Sequence, residues 1–260
     1  MKKIVFSSLL FLLAFSTLTF PQEKEYTSEW WDEFSFSPEA GFEYFIRTIT
    51  SDKKEASTLK SAILYLQGNL EMSDRLSLNL IFGGISSQYD GTTFRELPIS
   101  VKLTKKSGNL YGLIFGGGIN FIFTEYDDFE IGAFGQFFYC LGLKKEWDIL
   151  EFNVSGKVNG KPNWMRIIIG PMAIYDGFEQ SQPYGGILFD YISGKFTMEE
   201  EIITLQGEEK KKFHSQYYIS LLLGNKFELF DNLKIKAEIK IIPTAEKLNI
   251  DFVTGITYLF

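Results

Sequence analysis

The chain carries a single histidine, His214, in the stretch KKKFHSQYY, and Ser215 follows it directly. Hydrolysis by a hydroxyl needs a base that takes a proton near neutral pH, so this pair is the first place to look for it. Adjacent residues on a strand point to opposite faces, however, which turns Ser215 away from His214. Asp190 and the run Glu199 to Glu201 reach the histidine only through the fold. With one Cys (Cys140) and one His there is no cluster of thiolates and imidazoles for zinc. No catalytic residue, cofactor or metal is assigned, and a hydrolase built on His214 is the least favoured of the alternatives.

A second set of chemistry-bearing residues is electrostatic. In LKIKAEIKI, Leu233 to Ile241, every odd position is apolar and every even one charged, so Lys234, Lys236, Glu238 and Lys240 share a face. The same parity in other stretches collects Arg75, Ser77, Asn79, Lys102, Asn120, Glu130, Gln136, Asn249 and Asp251 on the polar side. Both signs of charge are present, which allows either a field across a polar passage or a set of mutual ion pairs.

The elements that must position these groups are strands. Leu76, Leu78, Leu80 and Phe82 alternate with Ser77, Asn79 and Ile81, and Ala62, Leu64 and Leu66 with Ser61, Tyr65 and Gln67. Met72-Ser73-Asp74 joins the two runs as a hairpin. In YGLIFGGGINFIF the large Tyr111, Leu113 and Phe115 alternate with positions that include Gly112, Gly116 and Gly118, the use of glycine expected where something bulky packs close to a strand. Candidate strands fall near 34–49, 57–71, 75–87, 97–104, 109–124, 128–143, 148–157, 163–175, 184–197, 214–229, 232–242 and 247–260. That is about twelve, or ten if 148–157 or 34–49 drops out. Turns at 72–74, 106–109 and 231–232 are tight and read as one side, while the charged interruption Met198 to Phe213 reads as a solvated loop on the other.

The N-terminus begins with Met1, Lys2 and Lys3 before Ile4 to Phe15 (IVFSSLLFLLAF), an apolar run shorter than the ~20 residues a spanning helix takes. It predicts a signal peptide over 1–20, cleaved between Ser16 and Gln22, and then a segment 21–33 with Trp30 and Trp31. That segment serves either as an interfacial anchor or as a piece folded inside the main domain at 34–260. Beyond the signal no continuous apolar stretch approaches spanning length despite 26 Phe and 13 Tyr, so a membrane would be crossed by strands. A lone cysteine provides no disulfide framework. The net charge of −7 argues against nucleic acid, and against a basic surface for anionic lipid.

The signal MKKIVFSSLLFLLAF, the repeated alternating strands and the ending IDFVTGITYLF together resemble bacterial outer-membrane β-barrel proteins. Phe252, Ile256, Tyr258 and Phe260 match the alternating C-terminal pattern of that group, which implies recognition by the barrel insertion machinery and pairing of the last strand with the first. The expected fold is all-β: a closed antiparallel transmembrane β-barrel of about twelve strands, in the outer membrane, against lipid and lipopolysaccharide. The expected function is porin-like passage of small hydrophilic or charged solutes, lined by Arg75, Lys102, Glu130, Lys234, Lys236, Glu238, Lys240 and Asp251. A closed-lumen barrel with a structural or surface-interaction role is the alternative, its inward charges paired with one another.

Overall fold

Alternation of large apolar with polar or small residues builds fourteen strands in the computed structural model, which describes residues 34–52, 55–151, 154–202, 205–244 and 249–259. The signal segment 1–20, the segment 21–33 and Phe260 lie outside the described residues. The strands are β1 (Ser35–Ser51), β2 (Ala56–Ser73), β3 (Leu76–Asp90), the two-residue β4 (Thr93–Phe94) and β5 (Val101–Lys102), β6 (Leu110–Tyr126), β7 (Phe129–Gly142), β8 (Lys145–Glu151), β9 (Val154–Tyr175), β10 (Ser181–Ile202), β11 (Leu205–Ser215), β12 (Ile219–Phe230), β13 (Leu233–Ile242) and β14 (Asn249–Tyr258). Twelve of them form one sheet, and β4 with β5 a small ribbon. The ring of hydrogen bonds runs β1-β2-β3-β6-β7-β9-β10-β12-β13-β14 and back to β1, every pair antiparallel. Closure leaves no edge within the ring. β14 meets β1 from Glu39↔Thr257 to Phe45↔Asp251, so the last strand does pair with the first.

The ring therefore has ten strand positions, and β8 and β11 prolong two of them. β8 carries on from β7 along β9, and β11 lies above β12 along β10. At the β11–β12 break the freed groups are met locally: the Asp190 amide donates to Tyr218 O at 2.7 Å and the Ile192 amide to Ser215 Oγ at 2.8 Å. There β11 also pairs with β1 through Ile49↔Ser215, closing the gap above the shorter β13–β14 hairpin.

The structure departs from three sequence expectations. The run 97–104 is not a barrel strand: it is too short for the ~9–11 residues a spanning strand needs, and Pro98 removes a ladder donor. It belongs instead to the 91–109 connection, whose Phe94, Leu97 and Leu103 are buried. Segment 106–109 consequently sits at the rim opposite the 72–74 turn, and all connections at the rim where β1 begins and β14 ends become short: 74–75, 127–128, 176–180 and 231–232. Finally, Met198 to Phe213 is no loop but the β10–β11 hairpin, paired from Ser193↔His214 to Ile202↔Leu205. Charges on both of its faces, Glu200 and Glu209 inside with Glu199 and Glu208 outside, hide its period of two.

Along single strands the outer face changes character. On β9 it reads Met165, Ile167, Ile169, Pro171, Ala173, Tyr175, but Lys157, Asn159, Lys161 and Asn163 beyond; on β10 Ile187, Phe189 and Tyr191 give way to Ser193, Lys195, Thr197, Glu199 and Glu201. At ~3.4 Å per residue and a tilt of ~45°, Met165 to Tyr175 covers ~24 Å of height, which matches the ~25 Å apolar band of barrels that lie in lipid. Exposed aromatics rim the band, with Tyr126, Phe129, Phe230 and Tyr258 at the lower edge and Tyr111 and Tyr218 at the upper. The polar stretch above is water-facing, and its inside inverts in step: Tyr89, Phe94, Phe196, Phe213 and Met198 form a dry core there. Tyr89 meets Phe196 edge-on with ring centroids 5.0 Å apart, and Phe94 lies 5.3 Å from Phe196.

Cys140 belongs to this packed interior, opposite Trp164 and Ile114 in the ladders. A water-soluble maleimide is expected to leave it unmodified in the folded barrel and to label it fully after denaturation; labelling of the folded protein at the denatured rate would show a wet lumen at that height.

Candidate functional site

Inward residues of β1, β9, β10, β13 and β14 converge at the middle of the barrel, and the sequence pattern brings them there in register. Glu39, Glu43 and Arg47 occupy one face of β1, four residues apart, while Asp251 pairs across the β13–β14 ladder with Lys240. Arg166 and Asp190 sit in otherwise apolar runs, WMRIII and ILFDYIS, and their parity places them inside. Arg166 donates from Nε to Asp190 Oδ1 at 2.7 Å, from Nη1 to Glu43 Oε1 at 2.6 Å and from Nη2 to Asp251 Oδ2 at 2.5 Å. Arg47 donates from Nη2 to Asp190 Oδ2 at 2.6 Å and from Nη1 to the Asp251 carboxylate. The two guanidiniums thus share two carboxylates in the fork geometry that suits planar pairs. Both arginines and both aspartates have 0% side-chain exposure. The Phe45 ring covers the guanidiniums, its centroid 4.9 Å from Arg166 Cζ and 5.8 Å from Arg47 Cζ.

Below this knot lies a looser tier. Lys236 Nζ is 2.7 Å from Glu39 Oε1, and Lys240 bridges towards Glu238 and Glu43 at 3.9 and 4.0 Å. Tyr184 donates to Glu238 Oε1 at 2.7 Å and Tyr65 to Glu39 Oε1 at 3.2 Å. Glycines make room for the two phenols: a β-carbon at Gly41 would strike the Tyr65 ring, and one at Gly224 the Tyr184 ring at 2.5 Å. Gly41→Val is therefore expected to displace Tyr65 from Glu39 and lower stability by about 1–3 kcal/mol, read from denaturant unfolding in detergent.

Above the knot, the 91–109 connection closes the upper end. The Glu96 amide donates to Glu209 Oε2 at 2.7 Å and the Ile99 amide to Glu200 Oε2 at 2.9 Å, both acceptors being buried inward residues of the β10–β11 hairpin. Arg95 pairs with Glu55 at 3.0 Å. From the other side Lys145 Nζ donates to Ser107 O at 2.7 Å and Trp147 Nε1 to the same oxygen at 2.8 Å. Burial there lowers the Lys145 ammonium pKa from its ordinary value.

Of the residues expected to line a pore, Lys236, Glu238, Lys240 and Asp251 do point into the lumen, each within the network just described. Lys234 is near the lower rim with its Nζ 2.5 Å from Glu228 Oε1, and Glu130 is half-buried near the same end. Arg75 lies in the lower turn region, exposed and 3.7 Å from Glu125, and Lys102 is exposed on β5. Neither lines the lumen: the first follows a hairpin tip, and the second belongs to the connection that replaces the expected strand. Arg47, Arg166, Glu43 and Asp190 were not singled out by the charged ladder. Their signal is a lone charge inside an apolar run. His214 faces outward on β11 and Ser215 inward, so the two do not meet, and Asp190 is held by the arginines. Among the described residues no group of three or more His, Cys, Asp and Glu side chains is arranged to hold a metal ion. A recess of about 520 Å³ bordered by Lys144, Asn159, Glu199 and Glu208 lies on the upper arm rather than in the lumen.

No protein-family model and no curated protein matches this sequence. Solved structures of similar fold include the outer membrane protease OmpT from Escherichia coli, 13% identical with a TM-score of 0.49 over 88% of this chain and 95% of that one. The translocator domain of the autotransporter NalP from Neisseria meningitidis is 9% identical, TM-score 0.48, over 87% and 89%. The COG4313 outer membrane channel from Pseudomonas putida F1 is 12% identical, TM-score 0.36, over 93% and 100%. Identities this low carry nothing about activity. By its own closed ring, apolar outer band and inward polar network, the chain is a transmembrane β-barrel of the outer-membrane type.

Proposed function

We propose that this barrel resides in a bacterial outer membrane with its lumen shut to solutes, and that its water-facing upper arm is what it presents to other molecules. The observation that carries the proposal is the knot of Arg47, Arg166, Asp190, Asp251 and Glu43, whose side chains are 0–3% exposed although they stand in the middle of the lumen. A water path past them would leave them accessible. Water reaches the tier below, where Lys236 and Glu238 retain 16% and 15% exposure, so the lumen is a vestibule open from the lower end only. Passive passage of small solutes, the first expectation from the lysine ladder, requires both the arginine knot and the 91–109 connection to move. Each is held by charge-assisted bonds.

The outward row Phe252, Ile256 and Tyr258 on β14 is the surface on which an insertion machinery would act, together with Phe260 from the sequence. Proteoliposomes test the closed lumen. Vesicles holding the refolded mature protein are expected to retain an entrapped monosaccharide as protein-free vesicles do. Rapid release at one barrel per vesicle would overturn the proposal and favour the channel.

A further inference from the structure

Register on the upper arm assembles a basic patch that no single stretch of sequence displays. Lys195 on β10 and Lys212 on β11 are direct cross-strand partners, both on the outer face, and Lys161 on β9 and Lys210 on β11 flank Thr197 in the next row up. His214 stands in the row beneath, opposite Ser193. All five basic side chains are exposed. Like charges directly opposite one another weaken a sheet, so the Lys195–Lys212 pair runs against strand stability and calls for an anion outside the protein. Among the described residues Glu208 is engaged with Lys210 at 2.6 Å and Glu199 with Lys144 at 2.7 Å, while the exposed Asp52 lies beside Lys212, its amide donating to Lys212 O at 3.3 Å, without an ion pair to that lysine. Lys161, Lys195 and Lys212 have no such partner among the described residues.

Height identifies the anion. Lys195 lies four residues beyond Tyr191, the last large apolar side chain on the outer face of β10, or ~13 Å along the strand and ~9 Å up at a tilt of ~45°. The headgroup zone is ~5–8 Å deep on each side of the hydrocarbon, and a lysine stem lies back along the surface to deliver its ammonium there. We infer that Lys161, Lys195 and Lys212 bind phosphate groups on the headgroups of the surrounding outer-leaflet lipid, tying the barrel's height and orientation to that leaflet. The inference rests on the membrane placement proposed above. It also shows how a chain of net charge −7 holds a local basic surface, because the three lysines come from three different strands.

The test titrates the mature protein, folded in a non-ionic phosphate-free detergent, with a bis-phosphorylated saccharolipid and with its dephosphorylated form, counting bound lipid by native mass spectrometry. The wild type is expected to retain the phosphorylated lipid preferentially. The triple variant K161A/K195A/K212A is expected to bind it about tenfold or more weakly, Lys144→Ala to bind it normally, and arginine at all three positions to restore it. Removing like charges does not threaten strand pairing, and unheated gel mobility verifies that each variant is folded. Equal binding by wild type and triple variant, equal retention of the dephosphorylated lipid, or displacement by equimolar inorganic phosphate would each overturn the inference. Failure of the wild type to float with vesicles would instead remove the membrane placement itself.

Discussion

Arg166→Met is expected to destabilise the barrel by about 3–5 kcal/mol, the largest effect of any single substitution foreseen here. The side chain it removes satisfies Glu43, Asp190 and Asp251 together, in a place with no water to take over. Arg47 remains but is already committed to both aspartates, and Glu43 keeps only the longer 4.0 Å contact to Lys240, so three buried carboxylates are left to two cations. An exposed pair offers the contrast: Lys144→Met breaks the Lys144–Glu199 bridge, whose partners are about half-exposed, and should cost ~0–1 kcal/mol. Urea titration followed by the fraction of protein keeping its unheated gel mobility measures both. The network is not required to outperform an apolar core, since buried ion clusters replaced as a unit by well-packed apolar residues are often neutral. The cost arises from breaking the set in part. Indistinguishable midpoints for the two variants would mean that water reaches the knot, and the closed lumen would fail with it.

The second large effect lies on the outside. Ile169 is near the middle of the apolar band on β9, exposed and opposite Phe189 and Gly135 in the ladders. Ile169→Arg should cost ~2–4 kcal/mol, because a guanidinium there must be desolvated or dragged towards an interface. Asn159→Arg, on the outer face of β9 above the band and opposite Glu199 and Glu146 in the ladders, should be nearly neutral, since that stretch meets water. The comparison tests the change from lipid-facing to water-facing surface along a continuous sheet. Similar costs at the two positions would place the band elsewhere or abolish it.

How much of this could be read from the sequence depends on where each strand sits relative to lipid. β13 was legible because its outer face lies within the band while its inner face is charged, so Ile235, Ile239 and Ile241 against Lys236, Glu238 and Lys240 give a clean period of two. β9 and β10 were harder. Within the band both of their faces are apolar except at Arg166 and Asp190, and above it the polarity reverses, so that a single hydrophobic pattern never holds for the full length. The eye divides such a strand in the middle, which is why the β10–β11 hairpin read as a charged loop. The 91–109 connection misled in the other direction: Ile99, Val101 and Leu103 alternate like a strand, yet Leu103 is buried against the upper core and not against lipid. Alternation records that one side is dry, without saying which body dries it. The arginine knot followed the same logic in reverse, since its members come from separate strands and only register reveals them as partners.

The most direct measurement is single-barrel conductance in a planar lipid bilayer, using refolded mature protein whose gel mobility shifts on boiling. A lumen blocked by the Arg47–Arg166 knot and sealed by the 91–109 connection predicts a folded, inserted barrel that passes no resolvable current at any salt concentration. Discrete current steps that scale with salt would contradict it, and would return the lysines of β13 to the role of pore lining.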